Sequence, residues 1–522
     1  MKKKSIRYIV LVIWLMAPLC FTQVPEENIS LSLEKSILLG LKNNLDIAVE
    51  VLNPELADIS ISQANEKFMP QLSLNYNKRD TEQASYSFLD ATDQVTTVTD
   101  TYGAQLTQAV PTGGTFTISV DGYATDTNRS FQTINPRYGN ALTFSFSQPL
   151  LKDFGFKIAR KDILVARNNR DISQEEFRST LIDTINSIEE AYWTLVYDRE
   201  ILKVRQQSLQ LARDLLAKNI KAVEIGTMAR IEILSAEAEV ATREADILQA
   251  EAMERNSEDI LRSLINLNEI ERDTELIRII PTNRPSYKKK DISLEEALLT
   301  ALAHRPDLAA TRIDLLNKEL DLTYAKNQLL PNLSFQASYW SPGVSGDQLL
   351  YLNNNALTGV VIGVIPGGAA DAFNDAVNFR YQNWTVGFTL DIPIDSILSR
   401  ATLAQAQVTL RQSQLRKKNQ EQQAFLEIKN SVRSVQTDFK RVEAYRVARE
   451  LAEKKLEAEE EKLRVGLTTN YMVLTYQREL TDALTMELKS IIDYNLSLSR
   501  LSKALGTTLQ EKNIEISQLL EN

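Results

Sequence analysis

The sequence predicts a mainly α protomer with a membrane β-barrel part, built as a tandem duplication of long antiparallel helical hairpins plus four barrel strands. Three observations carry this: a repeat at fixed offset, a change of hydrophobic period after two prolines, and helical runs too long for a globular domain. Ser32–Leu74 recurs at Ser293–Phe335 with a constant offset of 261, no gap, and 11 of 43 positions identical. Ordinary residue usage would give roughly two or three matches. The period far exceeds that of a solenoid, about 20–45 residues, so the duplication describes a two-fold pseudo-symmetric protomer rather than a stacked array.

The chain opens with Lys2, Lys3, Lys4 and Arg7, followed by an apolar run from Tyr8 to Ala17 and then Pro18. This is the layout of a secretory signal peptide, and the run is shorter than the ~20 residues a spanning helix needs. Cleavage is expected near Cys20 to Gln23. Cys20 admits a lipoprotein reading, against which Leu19 is larger than the residue expected before such a cysteine. Losing the signal's four cations moves the formal charge from −10 to −14. An acidic surface excludes nucleic acid as a partner. Cys20 is the only cysteine, so the mature chain has neither disulfide nor thiol chemistry. His304 is the only histidine and sits in the polar stretch His304-Arg305-Pro306-Asp307, as a helix-end surface residue would. Without a His/Cys cluster, a phosphate loop or a nucleophile motif, the sequence predicts no enzyme, no metal and no cofactor.

Each copy orders its elements alike. Ser32 and Ser293 are candidate N-caps opening apolar-periodic helices, with Glu34 and Glu295 in the first turn. Pro70 and Pro331 stop a helix, and the period then falls from about 3.6 to 2. Leu72, Leu74 and Tyr76 alternate in the first copy, and Leu333, Phe335, Ala337 and Tyr339 in the second. Return strands alternate as Leu142, Phe144, Phe146 and as Trp384, Val386, Phe388, Leu390, Ile392. The candidate lipid-facing residues are Leu72, Leu74, Phe144, Phe146, Phe335, Trp384, Val386 and Phe388. Between the paired strands lie polar or Gly-rich stretches, 78–140 and 341–380, expected as long loops on one side of a barrel. The first holds a further alternating hairpin, 102–123, around Pro111-Thr112-Gly113-Gly114; if it also enters the membrane, the count of four strands fails.

The helical runs come next. An apolar series, Leu181, Ile185, Ile188, Tyr192, Leu195, Leu202, Leu209 and Leu216, marks the first; Phe425, Ile428, Val432, Val435, Phe439 and Val442 mark the second. Neither run contains proline, and a 60-residue helix would extend about 90 Å. Partner runs, 231–267 and 470–505, return after Gly226 and Gly466. The chain thus divides into a signal peptide (1–23), a first copy (24–280, β segment 71–150, long hairpin 157–268), a linker (281–291), a second copy (292–510, β segment 332–394, long hairpin 397–506) and a tail (511–522). The linker, with Lys288-Lys289-Lys290, is expected to be held by charge to acidic helices or to remain a solvated strap.

Four strands cannot close a barrel, because single barrels start at about eight and an open edge cannot face lipid. Three chains would supply 12 strands and leave an aqueous channel, whereas the eight of a dimer would be filled by side chains.

At this point the residues resemble a known family, the TolC-like outer-membrane efflux proteins of Gram-negative bacteria. The resemblance rests on the Ser-Leu-Glu openings, the entries Met69-Pro70-Gln71-Leu72 and Leu330-Pro331-Asn332-Leu333, and the exits Gln148-Pro149-Leu150 and Ile392-Pro393-Ile394. Ala191-Tyr192-Trp193 and the terminal Ala504-Leu505-Gly506-Thr507 extend it across the mature chain. It implies a homotrimer in outer-membrane lipid, with a 12-stranded β-barrel above a periplasmic α-barrel. It further implies docking to a periplasmic adaptor and, through it, an inner-membrane pump of RND or ABC type. The hairpin tips would carry the adaptor contact: Gly226, Thr227 and Glu232 in the first copy, Gly466, Leu467 and Thr468 in the second. Met472 stands where the family pattern has an acidic residue. Cargo remains open between solutes, as an efflux duct, and proteins, as a type I secretion outlet; a periplasmic coiled-coil scaffold without a pore is the reading from another class. A duct of this acidity would favour cations and open by movement of one hairpin against another. Of Glu224, Arg230, Glu232 and Glu237 near the first tip, none stands out as a gate.

Overall fold

The structure, a computed structural model, describes residues 27–87, 90, 92–267 and 277–515. The predicted signal peptide, Cys20 and most of the predicted tail lie outside these residues. In chain order the first copy contains β1 (Glu27–Leu31), α1 (Leu33–Asn43), α2 (Leu45–Glu50), α3 (Leu52–Glu66), β2 (Gln71–Ala84), β3 (Gln94–Ala109), β4 (Thr115–Thr127), β5 (Ile134–Pro149), α4 (Phe156–Ala159), α5 (Lys161–Glu224) and α6 (Ile231–Leu264). After β6 (Ile277–Pro281) the second copy follows with α7 (Leu294–His304), α8 (Pro306–Asn327), β7 (Asn332–Tyr351), β8 (Val361–Ile365), α9 (Ala369–Val377), β9 (Asn383–Asp391), α10 (Ile397–Arg464), α11 (Asn470–Leu505) and α12 (Thr508–Glu511).

The duplication is visible at the helix starts. Ser32 Oγ accepts the Lys35 amide at 3.2 Å, and Ser293 Oγ accepts the Glu296 amide at 3.5 Å. Where the second copy has the single helix α8, the first is broken into α2 and α3 at Val51. Pro54, which replaces Leu315, explains the break, since its ring clashes with the carbonyl four residues back and donates no hydrogen bond.

The described residues fall into two compact units. One contains β1, α1, the linker and residues 183–264 and 433–501 of the long helices. Here β1 and β6 pair in parallel. The predicted apolar series is buried at Ile185, Ile188, Tyr192 and Leu195. The Tyr192 hydroxyl lies 2.8 Å from Asn283 Oδ1 and accepts the Asn283 amide at 3.2 Å, which gives the aromatic of Ala191-Tyr192-Trp193 its partner. Hydrogen bonds and ring packing hold the linker, rather than charge alone. Tyr287 packs on Phe439, Asn495 donates to the Ser286 carbonyl at 3.0 Å, and Lys289 pairs within the linker with Asp291 at 2.8 Å.

The other unit contains the main sheet, ordered β2-β3-β4-β5-β7-β9, all antiparallel, with β8 pairing the far end of β7. The four predicted strands are present, and the hairpin 102–123 joins their sheet as β3 and β4, so among the described residues this sheet holds six strands plus the short β8. Most of the expected long loops are strand: β2 runs to Ala84 and β7 to Tyr351. Polar side chains there predict loop from the sequence, but a strand can be polar on both faces where the sheet continues beyond its apolar band, as residues 78–83 of β2 are. In the second copy β7 and β9 pair directly, whereas in the first copy their counterparts β2 and β5 are held apart by the inserted β3 and β4. Phe425 departs from the predicted buried series: it is exposed, while Ile428, Val432 and Val435 are buried.

Candidate functional site

Cross-strand partners in an antiparallel sheet point to the same face, so the register sorts every strand residue. One face carries Leu72, Leu74 and Tyr76 of β2, then Tyr102, Ala104 and Leu106 of β3, and Phe116, Ile118 and Val120 of β4. It continues with Leu142, Phe144 and Phe146 of β5, Phe335, Ala337 and Tyr339 of β7, and Trp384, Val386, Phe388 and Leu390 of β9. The opposite face is polar on every strand: Ser73 and Asn75, Gln105 and Thr107, Thr117 and Ser119, Thr143 and Ser145, Gln336 and Ser338, Thr385 and Thr389. Trp340 of β7 and Tyr123 of β4 are aromatic exceptions on that face.

All eight residues predicted to face lipid therefore share one face. Leu72, Leu74, Trp384 and Phe388 are 66%, 74%, 73% and 65% exposed. Phe335 bridges Phe146 and Phe388, with ring centroids 6.5 and 5.4 Å apart. Apolar side chains this exposed on a continuous face require a non-aqueous partner. The band ends where Tyr76 Oη donates to Asp100 Oδ1 at 2.8 Å beside the Lys78–Asp100 pair. Gly122 belongs to this face because the Tyr102 ring lies across it; a Cβ there would stand 2.2 Å from that ring.

The sequence reading missed α9. It packs on the apolar face at the far ends of β5 and β7, where a Cβ on Gly343 would meet the Ala372 carbonyl oxygen at 1.9 Å. Phe379, just beyond α9, stacks on Phe144 and Tyr339 at 6.3 and 5.7 Å, so Phe144 is partly covered by protein. The Ala-Ala-Asp-Ala-Phe run with its buried Ala372 and Ala376 was the available signal.

The predicted tips are two copies of one turn. Gly226 and Gly466 both have φ of +77°. The Gly226 amide donates to Val223 and the Thr227 amide to Ala222; Gly466 donates to Leu463 and Leu467 to Lys462. This paired pattern closes a helix with a left-handed residue after the cap, which favours glycine. Gly226, Thr227, Gly466 and Leu467 are exposed, as are the apolar Ile225, Val465 and Tyr471 beside them. Glu232 and Thr468 are instead engaged within the chain. Asn470 donates to Glu232 Oε2 at 3.2 Å, and Thr468 donates to Glu459. The second tip thus reaches the Glu232 carboxylate through Asn470, two residues before the non-acidic Met472.

Further from the tips, a charged clamp joins α5, α6 and α11. Arg243 donates to the Ser208 carbonyl at 2.6 Å and to Glu239 at 3.0 Å, and Arg478 reaches Glu239 at 2.7 Å. On α10 and α11, Arg449 pairs with Glu487 at 2.9 Å. His304 closes α7 with Nδ1 2.9 Å from the Thr300 carbonyl, consistent with a helix-end role. Among the described residues no group of three His, Cys, Asp or Glu side chains is placed to hold a metal, and no helix is long and apolar enough to cross a membrane.

A two-faced sheet and very long helical hairpins in one chain define a class of protein, membrane channels that join a β-barrel to an α-barrel. The chain matches the family described as outer membrane efflux protein over residues 115–267 and 297–507, and it belongs to that family, the TolC-like ducts of the Gram-negative outer membrane, which are not enzymes. Solved structures agree in fold. The CmeC outer membrane channel of Campylobacter jejuni is 16% identical, with 93% of this chain and 90% of that chain covered and a TM-score of 0.62. The outer membrane protein VceC of Vibrio cholerae is 16% identical, with 91% and 96% covered and a TM-score of 0.61. The MtrE outer membrane channel of Neisseria gonorrhoeae, solved in its open state, is 18% identical, with 91% and 88% covered and a TM-score of 0.59. No curated protein sequence matches.

Proposed function

We propose that this outer-membrane efflux channel is the exit duct of a tripartite system, assembled as a homotrimer that receives solutes from a periplasmic adaptor and an inner-membrane pump and releases them outside the cell. The observation that carries the reading is the sheet: one apolar face and one polar face, continuous over six strands, suit a wall between lipid and water. In this reading Leu72, Leu74, Phe146, Phe335, Trp384, Val386 and Phe388 meet lipid. The adaptor contact uses the exposed turns at Gly226-Thr227 and Gly466-Leu467 with the apolar rim of Ile225, Val465 and Tyr471. Glu232 and Thr468 support the tips from within.

The test is single-channel conductance of the mature protein in a planar bilayer, paired with the detergent-corrected mass of the oligomer. A trimer with small, cation-selective, mostly closed conductance is expected. A protein that stays monomeric and never inserts would refute the duct.

A further inference from the structure

We infer that this chain closes its barrel by pairing β2 of one copy with β9 of the next, and that all six strands of each copy enter the wall, so that three copies make a barrel of about 18 strands rather than 12. The inference rests on the trimeric duct reading and adds to it the width of the pore and the seam between copies.

The first argument is the continuity of the faces. Were β3 and β4 a solvated appendage, their two faces would have no reason to match those of the neighbouring strands. Instead Leu106 and Ile118 stand level with Leu72 and Phe144 on the apolar side, while Gln105 and Ser119 stand level with Ser73 and Thr143 on the polar side. The inserted hairpin sits between β2 and β5, so it cannot leave the wall without breaking the ladder on both sides.

The second argument is slant. Leu74, at the centre of the apolar band on β2, lies level with Ala104, Val120, Leu142 and finally Ser341 of β7. On β9 the band is centred between Val386 and Phe388, roughly five residues beyond the position level with Ser341. About five residues at ~3.3 Å, over five spacings of ~4.8 Å, is a slant of roughly 35°, within the tilt of transmembrane barrel strands. Part of the slant falls within the inserted hairpin: the band is centred on Ala104 of β3, level with Leu74, and on Ile118 of β4, two residues from the position level with it.

The third argument is the edges. Among the described residues β2 and β9 each have a strand partner on one side only, and an unpaired backbone edge is not tolerated in lipid. Five antiparallel steps separate them, so β9 runs opposite to β2 and the two edges meet antiparallel, as closed membrane barrels require. Continuing the slant by about one residue per strand sets Leu74 of one copy opposite Phe388 of the next and Ser73 opposite Thr389 on the polar face. Barrel diameter grows roughly linearly with strand number, so the outer mouth is about half again as wide as that of a 12-stranded barrel.

Electron cryo-microscopy of the full chain in nanodiscs, with native mass spectrometry of the same sample, tests this directly. Three copies around about 18 strands are expected. In addition, Ser73→Cys combined with Thr389→Cys should form disulfide-linked dimers and trimers on mild oxidation, where either single variant gives none. Three copies around 12 strands, with residues 94–127 outside the ring, would overturn the inference and leave the duct standing. A particle that is neither trimeric nor pore-forming would overturn both.

Discussion

The two copies of the unit finish their long helices in the same way but build different sheets. At the helix ends the equivalence is close although the residues differ. Asn44 donates to the Leu264 carbonyl at 3.0 Å, and Arg305, its counterpart at the offset of 261, donates to the Ala504 carbonyl at 3.1 Å. Asn266 and Gly506 both take positive φ, +47° and +72°, directly after the last helical turn. In the sheets the copies part: the first carries the inserted β3 and β4, the second carries β8 and α9. Helix ends are fixed by unpaired backbone carbonyls that every helix must satisfy. A strand pair has no such obligation to remain adjacent, because two further strands offer the same ladder bonds to each side.

The comparison can be broken most forcefully by making the sheets alike. Replacing residues 86–132 by a short turn leaves β2 and β5 free to pair as β7 and β9 do. The largest polymer admitted from the extracellular side should then fall in radius by about a third, following strand number, as read by polymer exclusion in bilayer recordings. An unchanged cut-off would place the inserted hairpin outside the pore wall.

The hairpins offer the next contrast. Arg243 of α6 is 5% exposed and clamps Glu239 and the Ser208 carbonyl, while the corresponding position of α11, at an offset of 240, is Ala483. Arg243→Met leaves Glu239 and that carbonyl short of a partner and should cost about 3 kcal/mol, read from the urea midpoint of helix unfolding. Ala483→Ser should change little.

Smaller effects separate the glycines. Gly506→Ala should cost about 2 kcal/mol or more, because positive φ is joined by a contact with the His304 carbonyl oxygen at 2.7 Å. Gly226→Ala and Gly466→Ala, with the same φ and open space around them, should each cost about 1 kcal/mol and match one another. Hydrogen exchange of the adjoining helix ends reads this; unequal tips would show that their shared turn hides different strain.

The smallest expected effect concerns Asp307. Burial pushes its carboxyl up, but the hydrogen bond and charge of Arg305 outweigh that and hold it below the usual carboxylate range. A depressed value in the folded state contributes stability that is fully present above the ordinary value of about 4 and is lost as pH falls through the depressed one. Asp307→Asn should therefore cost about 1 kcal/mol or less at neutral pH, given solvent screening. The difference from wild type should vanish on acidification.

The sequence by itself determined the elements. Alternation at Trp384, Val386, Phe388 and Leu390 marks a strand with one apolar face wherever it pairs, because side chains alternate with a period of two. Gly226 and Gly466 mark helix ends because glycine takes the left-handed conformation that closes the turn without a Cβ penalty. The repeat at 261 and the length of the helical runs were equally local facts. Tertiary structure alone decided which strands are neighbours. Nothing local to β2 says whether Leu74 faces Ala104 or a residue of β5, since both offer the same ladder. Likewise Glu232 reads as a tip carboxylate until Asn470, 238 residues away in sequence, is seen to engage it. Strand adjacency and side-chain partnership are contacts between distant parts of the chain, fixed only when the whole sheet and both hairpins are in place.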